Sequence, residues 1–443
     1  MSEPSAESRW AEAFAAGAPE RSGEPAWLEA ARKSALARFA ELGVPTRRHE
    51  EWKYTSAERI ARVAWRPAPA ASLDAGALDA LDLALGGPRL VFVNGRFAPE
   101  LTQLEGLPVD VVASDARALW THQGAWLEPL LALPEALADR AFAALAAALA
   151  PDVAVVRVGR DVTVDAPLVV AFLSAPGEDA MTSPRLVVVA EPGAQLTLVE
   201  LHAGPASADR QLRNALTEVV VGANASVAHL RLQLDGAGAT HVGQLHARVA
   251  RDGRYASRTV ALGAAVSRLE LVATLDGEGA EATLDGLYVA ADGQHHDSRT
   301  TVDHARPHGT SHELYKGVLA GRSRGVFSGK VIVRKDAQKT SADQKNQNLL
   351  LGAEAEADSK PQLEIAADDV RCSHGSTIGQ LEEDALFYLR ARGLDAEAAR
   401  ALLVRAFVGE VLEGVPGDAL RERLLARVLA KLAGAGVRAG AAS

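Results

Sequence analysis

A cysteine and a histidine lie two positions apart in DDVRCSHGSTIG, residues 368–379, and their side chains could bind a metal. Cys372 is the only cysteine of the 443-residue chain, and on a strand it would share one face with His374. Thiolate suits iron–sulfur clusters and zinc, while imidazole suits zinc and iron. A stable cluster normally needs four protein ligands. The pair is therefore either a buried thiol beside a hydrogen-bonded histidine, which an isolated C-x-H favours, or half of a site that an interface completes.

A second group of possible ligands lies in HHDSRTTVDHARPHGTSHELYKG. His304, His308 and His312 are spaced i, i+4, i+8, so a helix would place them on one face. Pro307 and Gly309 disfavour a helix there. We keep the three histidines as weak metal candidates, and we favour hydrogen bonding across strand turns as their role.

Nucleotide binding by this chain is not predicted. The nearest approach to a phosphate-binding loop is GVFSGKV, residues 325–331. It is one residue too short, and Val331 stands where a serine or threonine should hold magnesium. If ATP is involved, we expect another chain to bind it.

Charge and composition limit the classes of partner. The formal net charge of −10 argues against a general nucleic-acid binder. Residues 311–345 form a basic exception, with eight lysines and arginines against three acidic residues. This run is by default a solvated face, and the alternative is a surface for an acidic partner.

The compartment predicted from these features is the cytoplasm, with no membrane contact. A single cysteine excludes an internal disulfide framework and fits a reducing compartment. The start MSEPSAESRW lacks the features of a signal peptide. The apolar stretch 129–151 is interrupted by Glu135, Asp139 and Arg140, which indicates a buried or amphipathic helix.

The elements that must position these side chains change in type along the chain. All six tryptophans lie in the first 126 residues, and residues 26–42 have helical spacing. From about 153 to 379, short alternating or β-branched runs are separated by glycine-rich turns. This pattern indicates a sandwich, a barrel or a solenoid, and a stacked β-helix accommodates its length of more than 220 residues.

Helical patterns return after residue 380. The run 382–393 ends at Gly393, Asp395 can cap a second helix, and Asp418 can cap a third. From the pattern alone, we favour helices that cover the β region over helices that dock a partner.

Three stretches resemble the SufD family, whose members are subunits of the SufBCD iron–sulfur cluster assembly scaffold. They are SADQKNQNLLL (341–351), KPQLEIAADDVRCSHGSTIGQLEEDALFYLRARGL (360–394) and PTRRHEEWKYT (45–55). The stretch 313–333 fits the same pattern. The resemblance extends from about residue 26 to 435.

The resemblance implies a mainly β fold, with a right-handed parallel β-helix between flanking helical regions. The implied boundaries are a helical or mixed N-terminal region over 1–150, a β-helix core over 151–380, a C-terminal helical domain over 381–435 and a disordered tail over 436–443. It also implies a non-catalytic subunit that pairs with a SufB-like chain through its β-helix.

The resemblance reverses the interpretation of the C-terminal helices, which are expected to dock a SufC-like ATPase. The residues assigned to this docking region are Leu386, Phe387, Tyr388, Arg392, Leu402, Leu403 and Phe407. His374 and Cys372 are assigned to the interface with the SufB-like chain, where they would bind iron or a transient iron–sulfur cluster. A reduced flavin could bind the complex, and the chain could form a homodimer when the SufB-like subunit is missing.

The competing hypothesis is an independent β-helix protein, either a carbohydrate-active enzyme or a structural homodimer. Such an enzyme would use clustered carboxylates with calcium or paired acids, for which Asp297, Asp303 and the nearby histidines are the candidates. Tryptophan is absent after residue 126, so an extended aromatic sugar platform is not evident.

Overall fold

The centre of the protein is a parallel β-helix, seen in a computed structural model that describes residues 6–205, 207–291 and 293–434. Strands alternate between two sheets, so that each coil contributes one strand to either sheet, and about eight coils follow one another. The predicted mainly β fold with flanking helices is confirmed.

The first sheet, called sheet A, is covered on its outer side by the N-terminal region. Its strands are β1 (Arg66–Pro67), β4 (Val111–Asp115), β5 (Ala154–Val158), β7 (Ala180–Thr182), β8 (Arg185–Ala190), β10 (Gln211–Val221), β12 (Thr240–Val249), β14 (Val266–Leu275), β16 (His295–His304), β18 (Arg324–Val333) and β20 (Glu356–Ile365).

The second sheet, called sheet B, is covered on its outer side by C-terminal helices. Its strands are β2 (Arg89–Val93), β3 (Arg96–Phe97), β6 (Leu168–Leu173), β9 (Gln195–Ala203), β11 (Ser226–Leu234), β13 (Arg254–Ala261), β15 (Glu281–Ala290), β17 (Thr310–Leu319), β19 (Ser341–Leu350) and β21 (Arg371–Gly379).

Alternation along each strand separates the side chains into two sets. One set fills the space enclosed by the two sheets, called the bore, and the other faces outward. In the first coils the bore is apolar, with Val156, Leu186 and Leu198 fully buried. Outward residues such as Val199 and Leu230 are also buried, because helices cover them. Both faces of the strands in the first coils, such as β6 and β8, are therefore largely apolar, as expected for buried parallel sheets.

The N-terminal region closes the first coils. Its α-helices are α1 (Ala6–Ala16), α2 (Ala26–Leu42), α3 (Ala57–Arg62), α4 (Ala116–Leu131) and α5 (Ala141–Leu149). Short 3-10 helices occupy Pro19–Arg21, Glu50–Trp52, Asp79–Leu81, Pro99–Leu101 and Glu135–Leu137. The antiparallel strands β3 and β4 end the two sheets on this side.

A buried ionic contact fastens the PTRRHEEWKYT segment to sheet A. Arg268 pairs with both Asp297 and Glu270, and its guanidinium lies 3.9 Å from the centroid of the Trp52 ring. The Thr55 hydroxyl donates to Asp297 at 2.5 Å. The segment thus runs along the outer side of the later coils, and Lys360 on β20 pairs with its Glu50.

The C-terminal helices are α6 (Glu383–Ala391), α7 (Ala396–Leu412) and α8 (Asp418–Gly434). Asp395 caps α7 as predicted, since its carboxylate accepts from the N–H of Ala398 at 2.8 Å. The predicted cap at Asp418 is wrong, because Asp418 is the first residue of α8 and its carboxylate accepts from Arg421 at 2.6 Å. Gly417, at φ +83°, makes the preceding turn instead.

The helices α7 and α8 pack their apolar sides on sheet B, whereas α6 stands apart from it. Val408 and Leu424 are fully buried against the outward residues of that sheet. No helix of the described residues is long and apolar enough to cross a membrane. The predicted disordered tail, 436–443, lies outside the described residues.

Candidate functional site

The two ends of the β-helix differ, because no further strand of the described residues follows the last coil. β20 and β21 are the terminal strands of their sheets, and in the described part of the chain each pairs with a strand on one side only. β21 is exposed along its length except at Cys372, which is half-buried. The exposed last coil formed by β20 and β21 is called the open end.

Residues that face the bore show that the open end lacks its next layer. Ile365 on β20 is 44% exposed, whereas Val333, its partner one coil earlier, is fully buried. Ile378 on β21 is 49% exposed. These side chains stand where the interior of a further coil would cover them, so the open end is built like an interrupted core.

Cys372 and His374 both face the bore at this open end. Cys372 pairs in register with buried Ala342, and it packs against the buried cluster that includes Ala342, Val331 and Ala337. Burial in this apolar corner raises the pKa of the Cys372 thiol. His374 lies one position further along the same face and is exposed. The predicted shared face of the two residues follows from the strand β21.

The pair does not amount to a complete metal site. In residues 6–205, 207–291 and 293–434, no group of three or more histidine, cysteine, aspartate or glutamate side chains is arranged to bind a metal. Cys372 and His374 offer one sulfur and one imidazole to anything that covers the open end. Further ligands would have to come from another molecule.

The three histidines of the second predicted group do not form a common site. His304 faces the bore and is buried beside Ser311, at 2.9 Å from its hydroxyl. His308 lies in the turn that follows β16, with φ +60°. His312 faces outward from β17, with Asp343 at 3.3 Å. The chain reverses direction between them, so the helical spacing has no counterpart in space.

Comparison with known proteins places the chain in a family. Residues 172–407 match the SufBD core domain of the SUF system for iron–sulfur cluster assembly. The chain is 35% identical over 402 residues to an iron–sulfur cluster assembly SufBD family protein of Synechocystis, covering 89% of this chain and 88% of the relative. It is 33% identical over 403 residues to the iron–sulfur cluster assembly protein SufD of Escherichia coli, covering 90% of this chain and 92% of the relative.

The chain belongs to the SufBD family. It is a SufD-like iron–sulfur cluster assembly protein, as the resemblance indicated. The family match spans the coils from the end of β6 onward, the open end, α6 and most of α7.

The residues assigned to a docking region in this SufBD family chain fall into two groups. Phe387 and Tyr388 on α6 are 75% and 56% exposed, and the guanidinium of Arg392 lies 4.4 Å from the Tyr388 ring centroid. Leu402 on α7 is also exposed. These four residues are called the docking face. Leu386 and Leu403 are half-buried.

Phe407, the last of the assigned residues, is held by the β-helix. The Lys316 ammonium lies 4.7 Å from the centroid of the half-buried Phe407 ring. A groove of about 420 Å³ between α7 and α8, lined by Leu402, Ala406 and Leu425 among others, adjoins the docking face.

The basic run is neutralised by acidic residues from other parts of the fold. Lys330 pairs with Glu364, Arg334 with Asp303, and Lys339 with Asp369, each about thirty residues away in sequence. Lys316 pairs with Glu410 of α7. The run is largely a set of ion pairs between neighbouring coils and elements.

Sequence reasoning missed a buried charged cluster in the bore. Glu200, His202, His229, Arg231 and His241 contact one another, and all are at least nine-tenths buried. Burial lowers the pKa of His202 to about 3 and that of His241 to about 4. The available signal was QLTLVELHA, whose alternation puts Glu200 and His202 on the same face as two leucines.

Proposed function

We propose that this chain is a SufD-like scaffold subunit that supplies half of a cluster-assembly site to an interface with a SufB-like subunit. His374 and Cys372 would be its contribution, and iron or a transient iron–sulfur cluster would be the cargo. The observation that carries the proposal is the position of both side chains in the bore of an uncovered coil.

The open end offers strand addition as the mode of contact. An edge strand presents unpaired backbone N–H and C=O groups, and a partner strand can pair with them. β20 contains Pro361, which has no N–H to donate, while β21 contains no proline. β21 is therefore the better template, and a strand added to it would lie next to His374.

The two candidate ligands differ in readiness. A neutral imidazole binds iron directly, whereas cysteine binds as the thiolate. Since burial raises the pKa of Cys372, its thiol keeps the proton at neutral pH in the uncovered chain. We therefore assign His374 as the first ligand and Cys372 as an accessory ligand, whose proton leaves when the partner or the metal supplies positive charge nearby.

The docking face supports the proposal that a SufC-like ATPase binds at the C-terminal helices. Phe387 and Tyr388 form an exposed apolar pair on α6, which is the kind of anchor that protein interfaces bury. Nucleotide chemistry would belong to that partner. The present chain would act as a scaffold, without catalysing a reaction itself.

The carbohydrate-active alternative gains no support from its candidate carboxylates. Asp297 is buried and engaged by Arg268 and Thr55. Asp303 pairs with Arg334 at 2.5 Å. Both carboxylates serve structural contacts, and they are not free to act as the acid and base of a glycosidase.

The test is anaerobic coexpression of this chain with the SufB-like and SufC-like proteins of its host. We expect one complex to be recovered, and we expect His374→Ala to leave its composition unchanged while lowering iron, sulfide and visible absorbance several-fold. His308→Ala, which removes an exposed histidine in a turn, is the matched control. Wild-type cluster yield from His374→Ala would refute the site. Recovery of this chain only as a homodimer would favour the structural alternative.

A further inference from the structure

A row of three polar residues crosses the last coils of sheet B and ends at His374. Glu313 on β17, Gln344 on β19 and His374 on β21 are successive partners in register. One coil before Glu313, the same row holds Leu284, which is fully buried in the apolar bore. Leu284 thus separates the three polar residues from Ser257 and His229, the buried polar residues that the same row holds in earlier coils.

The side chain of Gln344 is held in place from two sides. Both Gln344 and Glu313 are fully buried, and the Gln344 amide Nε2 donates to the Glu313 carboxyl group. Gly329 on β18 lies against the same amide, and a Cβ at Gly329 would overlap it. The amide therefore has its nitrogen committed to Glu313 and little freedom to turn.

The amide oxygen of Gln344 differs in its hydrogen bonding from the neighbouring amide groups of the bore. Among the described residues, Gln344 Oε1 is buried and accepts no hydrogen bond. Asn348 donates to Asn346 at 2.7 Å, and Asn346 donates to the Tyr315 carbonyl at 3.1 Å. These neighbouring amides are satisfied inside the bore, whereas Gln344 keeps a free acceptor.

His374 is the residue of this row that can supply the missing donor. Neighbouring strands of a sheet lie about 4.8 Å apart, so residues in register that share a face stack on each other. An imidazole has one N–H donor in its neutral form, and its other nitrogen is free to bind a metal. A buried acceptor without a partner costs free energy, which a hydrogen bond from His374 would relieve.

We propose that Gln344 is a positioning residue, whose Oε1 accepts the ring N–H of His374 and so directs the other ring nitrogen toward the open end. Histidine ligands of metals commonly donate their second ring nitrogen to such an acceptor, which fixes the tautomer and the ring orientation. This inference rests on the proposed function for the use of the free nitrogen, although the hydrogen bond itself does not.

Glu313 holds the other end of this arrangement. Burial raises the pKa of the Glu313 carboxyl group to about 7. Below that pH the carboxyl group is mostly protonated, and the row then needs no buried counterion. Its function in the row is to hold the nitrogen of Gln344, so that the oxygen remains on the side of β21.

The inference is tested on the full-length chain labelled with ¹⁵N-histidine. The signals of His374 are assigned by their loss in His374→Gln, and the shifts of the two ring nitrogens at mildly alkaline pH give the tautomer ratio. We expect the wild-type ratio to differ about tenfold from that of Gln344→Met, which keeps the side-chain length and removes the acceptor. Gln344→Glu keeps an acceptor and should restore the wild-type ratio.

Asn348→Leu is the matched control, since it removes a buried amide from the same strand outside the row. The inference is overturned if Gln344→Met keeps the wild-type ratio, or if Asn348→Leu shifts it equally. A second measurement uses only the wild type, so it does not depend on whether the variants fold. The ring N–H of His374 should exchange slowly enough to be observed, and a signal lost to fast exchange would also overturn the inference.

The two proposals fail in distinguishable ways. A fixed tautomer with normal cluster yield from His374→Ala would leave the positioning contact in place and refute the proposed function. If the His374 tautomer is not fixed in the wild type and His374→Ala lowers the cluster yield, the positioning contact is refuted and the proposed function stands.

Discussion

Lys316 on β17 donates to the main-chain carbonyl oxygen of Phe407 on α7 at 2.9 Å, and its ammonium also pairs with Glu410. The lysine is buried, so α7 is fastened to sheet B by a charged group held away from solvent. β17 is separated from β21 only by β19. The helices beside the docking face and the strand that carries His374 are thus joined through two neighbouring strands.

Removal of this fastening should loosen the C-terminal helices. We expect Lys316→Met to lower the free energy of unfolding by about 1.5–3 kcal/mol, the range for hydrogen bonds to charged groups. Urea denaturation measures the change, and limited proteolysis locates it. Lys335→Met, at an exposed position, should have little effect. Equal stability of the two variants would contradict a fastening role for Lys316.

The buried histidine His241 should make stability depend on pH. Burial lowers its pKa to about 4 in the folded chain, against about 6.5 when unfolded, so the unfolded chain binds the proton first as pH falls. Its contribution is complete above pH 6.5 and declines toward pH 4. Relative to His241→Gln, the wild type should lose about 1.4 kcal/mol per pH unit in this window.

The variant Glu313→Gln supplies a control, because the pH dependence of its stability difference from the wild type should have the opposite sign. Burial raises its pKa to about 7, so the folded chain keeps a proton that the unfolded chain releases above about 4.5. Relative to Glu313→Gln, the wild type should lose stability as pH rises from about 4.5 toward 7. Urea midpoints across this range give both slopes. Parallel pH profiles for wild type and either variant would contradict the assigned pKa shift.

The thiol of Cys372 should react slowly in the isolated, metal-free chain. Since burial raises its pKa, the thiolate fraction at neutral pH is below that of an ordinary cysteine. Alkylation by iodoacetamide, followed by mass spectrometry, measures the rate across pH, and the single cysteine makes the signal unambiguous. A half-maximal rate at or below pH 8.5 would contradict this expectation. Urea-unfolded chain gives the reference rate.

A charge placed on the docking face should leave the isolated chain stable but weaken its binding to the SufC-like ATPase. Phe387 is largely exposed, so Phe387→Asp should leave the free energy of unfolding within about 0.5 kcal/mol. We expect it to weaken binding of the SufC-like ATPase at least about tenfold, as loss of an aromatic anchor does. Calorimetry or interferometry measures the affinity. Val109→Asp, at another exposed apolar residue, is the control, and equal affinity of both variants would exclude this face.

Sequence patterns predicted the architecture because alternation and turn composition are local. Residues 153–379 carry this signal in every coil, and the resemblance to the SufD family selected the β-helix among the open alternatives. The polar contents of the bore could not be predicted in the same way. Glu200 meets Arg231 only because the coil returns after thirty-one residues, and neither residue carries a local mark of that pairing.

The candidate site was predicted in part for the same reason. The shared face of Cys372 and His374 depends on strand alternation, which the sequence displays. The spacing of His304 and His312 would place them on one face of a helix. In the structure a turn separates them, and they lie on strands of different sheets. Gln344 escaped attention as a partner of His374 because thirty residues separate them and only the coil length brings them into register.

An uncovered last coil also has a consequence for the amounts in which subunits are made. β20 and β21 leave ten and nine residues of strand with one side unpaired, which is a surface that invites aggregation. If a SufB-like subunit covers this surface, as proposed, each molecule made in excess of that subunit keeps the surface exposed. A cell that balances the amounts of the two subunits, or removes the surplus, would then avoid this aggregation.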